Sequence, residues 1–238
     1  MPVSLAFLMT ILSTATLLLV IFPSSAMAEE GKSCKDLLNL DNSLAYELSV
    51  ACTIEEKYGH IIEPIAHLNE YDQDLITAVI VVESRGKPEA TSHVGARGLM
   101  QLMPNTAKYM GAKDIRDPFE NILAGTKYLR VLEDRYGFLS VEEALLAYNM
   151  GPRKASEWLD LPGRSATDAS YVKKVMGVYL GIKEVKQKEL EERERSNAKE
   201  FLQRILLKIT LSEETDTVHL PKLAFGRRFE IESEEEAS

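Results

Sequence analysis

The chain has 238 residues, 45% of them apolar, and a formal net charge of −9. That length suits one core-bearing domain with appendages, and the acidic balance gives no support to a nucleic-acid partner, which usually shows as a basic surplus. His60, His67, His93 and His219 are scattered without ligand spacing, so neither a metal centre nor a cofactor is expected.

Residues 1–28 contain no Asp, Glu, Lys or Arg. Leu5 to Phe22 is almost wholly apolar, Pro23 breaks the run, and Ala26-Met27-Ala28 has the small-x-small pattern of a signal-peptidase site. A signal peptide over 1–28 and export to the periplasm or cell envelope are expected. No Lys or Arg precedes the apolar run, and an uncleaved membrane anchor is the alternative. Cys34 and Cys52 are the only two cysteines. In an exported chain they can pair as a disulfide; two free thiols are the alternative.

Lys35 to Lys57 has helical spacing, and the segment 29–68 reads as an N-terminal helical segment. His60 to Asn69 reads as a connector or short helix interrupted by Pro64. Asp72 suits an N-cap, with Asp74 near the positive end of the next helix's dipole. Leu75 to Val82 is apolar throughout and fits a strand or a buried helix equally well; periodicity does not decide. Glu83 closes this run. A carboxylate beside so much apolar surface is hard to ionise, so its pKa should rise and it can hold a proton near neutral pH.

Ser84 to Pro88 is a turn, and the small residues up to Gly98 suit a loop that something approaches closely. Helices are expected from Pro104 to Met110, from Asp117-Pro118 to Gly137, from Val141 to Asn149 and from Tyr171 to Leu180. Residues 183–238 change character. Glu184/Lys188, Glu189/Arg193, Glu191/Arg195 and Glu200/Arg204 are i,i+4 pairs in the favourable order. They suggest an exposed charged helix, followed by an acidic tail from Glu232. The apolar end of that helix, around Phe201, Ile205, Leu206 and Leu207, offers a surface for a protein partner; a solvated helix with no partner is the plainer reading.

Several pieces come in a fixed order: Glu83-Ser84, then Gly95-Ala96-Arg97-Gly98-Leu99-Met100-Gln101, Pro104 and Thr106-Ala107. Asn121-Ile122 follows with Gly125, Tyr128 and Leu129, then Ala147-Tyr148-Asn149 with Gly151, and Tyr171-Val172. Together they resemble the catalytic domain of soluble lytic transglycosylases, which look like goose-type lysozymes. The likeness spans roughly Asn69 to Leu180, and a catalytic domain over 69–182 is expected. The resemblance implies an all-α, lysozyme-like fold, which would make Leu75–Val82 a helix. It implies that Glu83 is the catalytic acid and that Ser84 lies near the substrate. Gly98, Leu99, Met100 and Gln101 would line the sugar groove. Tyr148 and Asn149 would face Glu83 across the cleft, with Tyr148 helping to orient it.

A retaining glycosidase of the ordinary kind needs a second carboxylate about 5 Å from the first. The loop offers Glu89, but the matched motifs supply no acid at the expected place. A substrate-assisted cleavage of peptidoglycan between N-acetylmuramic acid and N-acetylglucosamine fits one carboxylate better, leaving 1,6-anhydromuramoyl ends. A lysozyme-type hydrolase on the same fold, and a peptidoglycan-binding assembly factor without catalysis, are the alternatives.

Overall fold

The computed structural model describes residues 44–212. The 1–28 segment, Cys34 and the acidic tail lie outside them. All regular elements among the described residues are helical. They are α1 (Ala45–Leu68), α2 (Gln73–Ser84), α3 (Pro104–Tyr109), α4 (Pro118–Tyr136), α5 (Val141–Met150), α6 (Pro152–Leu159), a 3₁₀ turn (Ala166–Asp168) and α7 (Ser170–Ser212). The all-α expectation holds. The described residues divide into two units, one up to Glu189 and one from Leu190.

In the first unit α2 is the central helix. Nine of its 12 residues are buried, among them Ile76, Ala78, Val79 and Ile80 at 0% exposure. A helix apolar on every side is stable only when surrounded, and here α1, α4, α5 and α7 share one core with it. Ile54, Ile62 and Ile65 of α1, Ile122 and Leu129 of α4, Leu145 of α5 and Val175 and Val178 of α7 all belong to that core. Burial of each such side chain is worth about 1.5–3 kcal/mol. The ambiguous Leu75–Val82 run is therefore helical because neighbours cover both of its sides. The β-branched residues do not decide it.

Asp72 caps α2, its side chain accepting from the Asp74 N–H at 2.9 Å. Asp117 caps α4 through the Glu120 N–H, Pro118 opens that helix, and Gly137 ends it in the left-handed region. These boundaries agree with the sequence reading. Three do not. α1 runs through Pro64 to Leu68 without a break. Pro64 is exposed, so the His60 carbonyl it leaves unbonded can face water, while Ile62, Ile65 and Ala66 hold the helix to the core. Pro152 opens a further helix, α6, where the sequence reading expected none. The last helix is one element from Ser170 to Ser212, not two.

In the second unit the helix carries the Glu200–Arg204 ion pair at 2.6 Å. Phe201, Leu202 and Leu206 are exposed there. No helix among the described residues is long and apolar enough to cross a membrane.

Candidate active site

Glu83 is the penultimate residue of α2. The helix stops at Ser84 because Arg85 turns left-handed, at φ 54°. A carboxylate in the last turn meets the negative end of the helix dipole and, here, apolar surroundings. Burial pushes the Glu83 carboxyl up from the ordinary 4.5 to about 7, and the Tyr171 hydroxyl only partly opposes this. Among the described residues no carboxylate and no cation contributes to the shift. The raised pKa read from the apolar run is present.

Tyr171, in the first turn of α7, donates its hydroxyl to Glu83 Oε1 at 2.7 Å. That bond occupies one oxygen and leaves Oε2 to carry the proton. Tyr148, on α5, also lies within electrostatic reach, since the Glu83 charge helps push its phenol well above its usual range, after burial. Its hydroxyl goes elsewhere, to the Met100 carbonyl at 2.7 Å. The hydroxyl that orients the acid is thus that of Tyr171. Tyr171 stood in the motif order, but nothing in spacing could say which of two tyrosines, 88 and 65 residues on, reaches the carboxylate.

The loop after α2 is pinned by two antiparallel bridges, Thr91 with Arg97 and Arg97 with Leu102. Gly98 has φ +84°, and a Cβ there would lie 2.2 Å from Asn121 Nδ2; both facts demand glycine. Leu99 and Met100 are fully buried, backbone included, so they support the loop from beneath and present no surface to a sugar. Gln101 donates its amide to the carbonyls of Ala90, at 3.1 Å, and Gly98, at 2.9 Å. Ser84 is buried and its hydroxyl turns back to the Ile80 carbonyl at 3.3 Å. Asn149 is exposed. Glu89 is no partner for Glu83: it is 80% exposed and pairs with Arg116 at 3.5 Å. Cys52 is buried on α1, and no free cysteine occurs among the described residues. Nor do those residues include any group of three or more His, Cys, Asp or Glu placed to hold a metal ion.

Residues 61–170 match the family model described as the transglycosylase SLT domain. That match places a transglycosylase SLT domain within the chain. Among curated relatives, a transglycosylase of Enterobacteria phage PRD1 is 47% identical over 105 residues, covering 44% of this chain and 36% of the relative. Membrane-bound lytic murein transglycosylase F of Desulfosudis oleivorans is 40% identical over 102 residues, covering 40% of this chain and 22% of the relative. The chain thus spans only about a fifth to a third of the relatives it matches. Among solved structures, the 70 kDa soluble lytic transglycosylase of Escherichia coli aligns at 28% identity with a TM-score of 0.45, covering 57% of this chain and 27% of that one. Glu83, the Gly98–Gln101 loop and Tyr148 all fall inside the matched span.

Proposed function

We propose that the chain is a peptidoglycan lytic transglycosylase with Glu83 as its single acid and then its base. The observation that carries this is a largely buried carboxyl held near pKa 7 with one oxygen hydrogen-bonded and, among the described residues, no second acid beside it. The SLT domain and the names of its relatives support the substrate class. Glu83 protonates the glycosidic oxygen between N-acetylmuramic acid and N-acetylglucosamine as the C1–O bond breaks. The muramoyl N-acetyl oxygen bonds to C1, in place of the carboxylate nucleophile that two-acid enzymes use. Glu83, now ionised, takes the proton of the muramoyl C6 hydroxyl as its oxygen closes on C1 and the bond from C1 to the N-acetyl oxygen breaks, restoring the acetamide. No water is consumed and the ends are 1,6-anhydromuramoyl. Gln101 lines the groove and Gly98, Leu99 and Met100 shape it from beneath, while Ser84, Tyr148 and Asn149 flank the acid.

Mass spectrometry of digested peptidoglycan tests this. Anhydro ends are expected; reducing ends would make the enzyme a lysozyme-type hydrolase, and no cleavage at all would favour a non-catalytic binding factor. The apolar 1–28 segment supports export to the periplasm or envelope. A Cys34–Cys52 disulfide would suit that compartment, and the mass difference on reduction and alkylation checks it. We further assign 29–68 to a helical segment, 69–182 to catalysis and 183–238 to a charged helix and tail open to a protein partner.

A further inference from the structure

We propose that Asn121 is a positioning residue: its amide fixes the Gly98–Gln101 loop so that the Met100 carbonyl stands where Tyr148 must reach it, and Tyr148 in turn walls the acid. The proposal rests on the reading of Glu83 as that acid. Asn121 sits in the first turn of α4 and is wholly buried. Its Oδ1 accepts from the Met100 N–H at 2.7 Å. Its Nδ2 donates to the carbonyls of Ile115, at 2.7 Å, and Arg97, at 3.2 Å. One side chain thereby satisfies three backbone groups from two separate loop stretches. Only an amide can do this, because it is both acceptor and donor at fixed spacing.

The same loop residue is held from two further directions. The Met100 carbonyl accepts from Tyr148. The Met100 side chain fits a notch at Gly125, one turn along α4 from Asn121, where a Cβ would stand 2.4 Å from its sulfur. Polar seat and apolar notch lie on one helix, so α4 fixes both the height and the rotation of Met100. Tyr148 also packs its ring against Tyr128 of α4, with centroids 5.5 Å apart. The chain of contacts runs Asn121, Met100, Tyr148 through buried or half-buried groups, and Tyr148 in turn lies within electrostatic reach of Glu83.

The experiment uses the full chain, with Asn121→Ala and, as a route that leaves Asn121 untouched, Gly125→Ala. Three readouts are taken: amide hydrogen exchange, steady-state peptidoglycan cleavage, and its pH profile. In folded Asn121→Ala the Met100 amide loses its protection while α1 and α2 keep theirs. Turnover falls by about ten- to a hundredfold, in the range expected when buried backbone groups lose their partner. The alkaline limb of the profile moves to lower pH, because a loosened Tyr148 admits water to the acid. Gly125→Ala, which displaces Met100, shifts rate and profile the same way by less. Should Asn121→Ala fail to fold, Gly125→Ala decides alone. Wild-type rate and profile in a folded variant, with or without loss of Met100 protection, would overturn the proposal. An inactive wild type would instead sink the functional reading, and the exchange measurement, which needs no substrate, would still report on the loop.

Discussion

The two ends of α2 handle carboxylates in opposite ways, although the same pair of helices meets at both. At the C-terminal end Glu83 has one neutral donor, Tyr171 of α7, and no cation among its described neighbours. At the N-terminal end Asp72 and Asp74 meet Tyr179, Lys183 and Lys186 of the same α7. Tyr179 and Lys183 each lie 3.0 Å from Asp72, and Lys186 bridges Asp74 and Glu55. Burial alone would raise Asp72, but the Asp74 N–H, Lys183 and Tyr179 outweigh it and hold the carboxyl below its usual range. The helix dipole works the same way at both ends, favouring charge at the first and opposing it at the second. One helix therefore carries a stabilising acid cluster and a destabilised lone acid about eleven residues apart, at opposite ends. Compensation marks structure here, and its absence at Glu83 is what the proposed chemistry needs.

The comparison is broken most directly at Glu83. Glu83→Gln keeps the shape and removes the titratable proton, so cleavage should fall by at least about a thousandfold, as expected for loss of a general acid. The same change should stabilise the fold at alkaline pH. Native Glu83 binds its proton with a pKa of about 7, against an ordinary 4.5. Between those values the native state holds more protons than the unfolded one, so wild-type stability falls as pH rises through that window, by about 3 kcal/mol in all. Urea melts at pH 8 should show the glutamine variant more stable by about 1–3 kcal/mol, since the amide lacks some of the original hydrogen bonding. At pH 4 the gap should close. A variant no more stable at pH 8 would mean that the acid is not strained.

Lys186→Met attacks the other end. The Asp74 side chain is 4% exposed and that of Glu55 27%. Removing their shared cation leaves two crowded acids with Lys183, 3.4 Å from Asp74, still beside them, and urea melts at pH 7 should lose about 2–3 kcal/mol, less than for a fully buried pair because Lys186 is itself about a third exposed. The pH profile of cleavage should keep its alkaline limb near 7, since nothing at this end touches Glu83. A displaced limb would show that the two ends are coupled along α7.

Tyr171→Phe is subtler. Its hydroxyl lowers the Glu83 pKa, so its removal should move the alkaline limb above 7 while the rate falls by about tenfold, for one lost charge-assisted bond. A limb that stays in place would return the orienting role to Tyr148.

Much of this contrast was legible in the residues, and the rest was hidden for identifiable reasons. The cap at Asp72, the turn at Arg85 and the apolar run before Glu83 are local, and local rules read them. The raised pKa followed because burial of one side chain can be inferred from its flanks. The helical state of Leu75–Val82 could not be had from periodicity, since a segment covered on all sides loses its stripe. Pro64 misled because an exposed proline late in a helix held by Ile62, Ile65 and Ala66 breaks one bond but no packing. The Tyr171 donor, the Asn121 seat and the Lys186 bridge each join residues far apart in sequence. Only packing selects such partners from the many tyrosines, asparagines and lysines available.

The smallest expected effect separates the two ends by the sign of their pH response. Asp72→Ala removes an N-cap and two side-chain partners at the half-exposed corner, and should lose about 1–2 kcal/mol at pH 7. The Asp72 carboxyl is held below its ordinary 3.8, so its contribution is complete above that value and is lost as pH falls through the lower, native one. The gap between Asp72→Ala and wild type should therefore stay level from about pH 5 to pH 8 and close only in acid. The Glu83→Gln gap has the opposite sign and opens between about 4.5 and 7. Melts of both variants across pH 3 to 8 test the contrast in a single series. Two parallel curves would mean that both ends of α2 treat their acids alike, and the reading of Glu83 as a strained catalytic group would lose its physical basis.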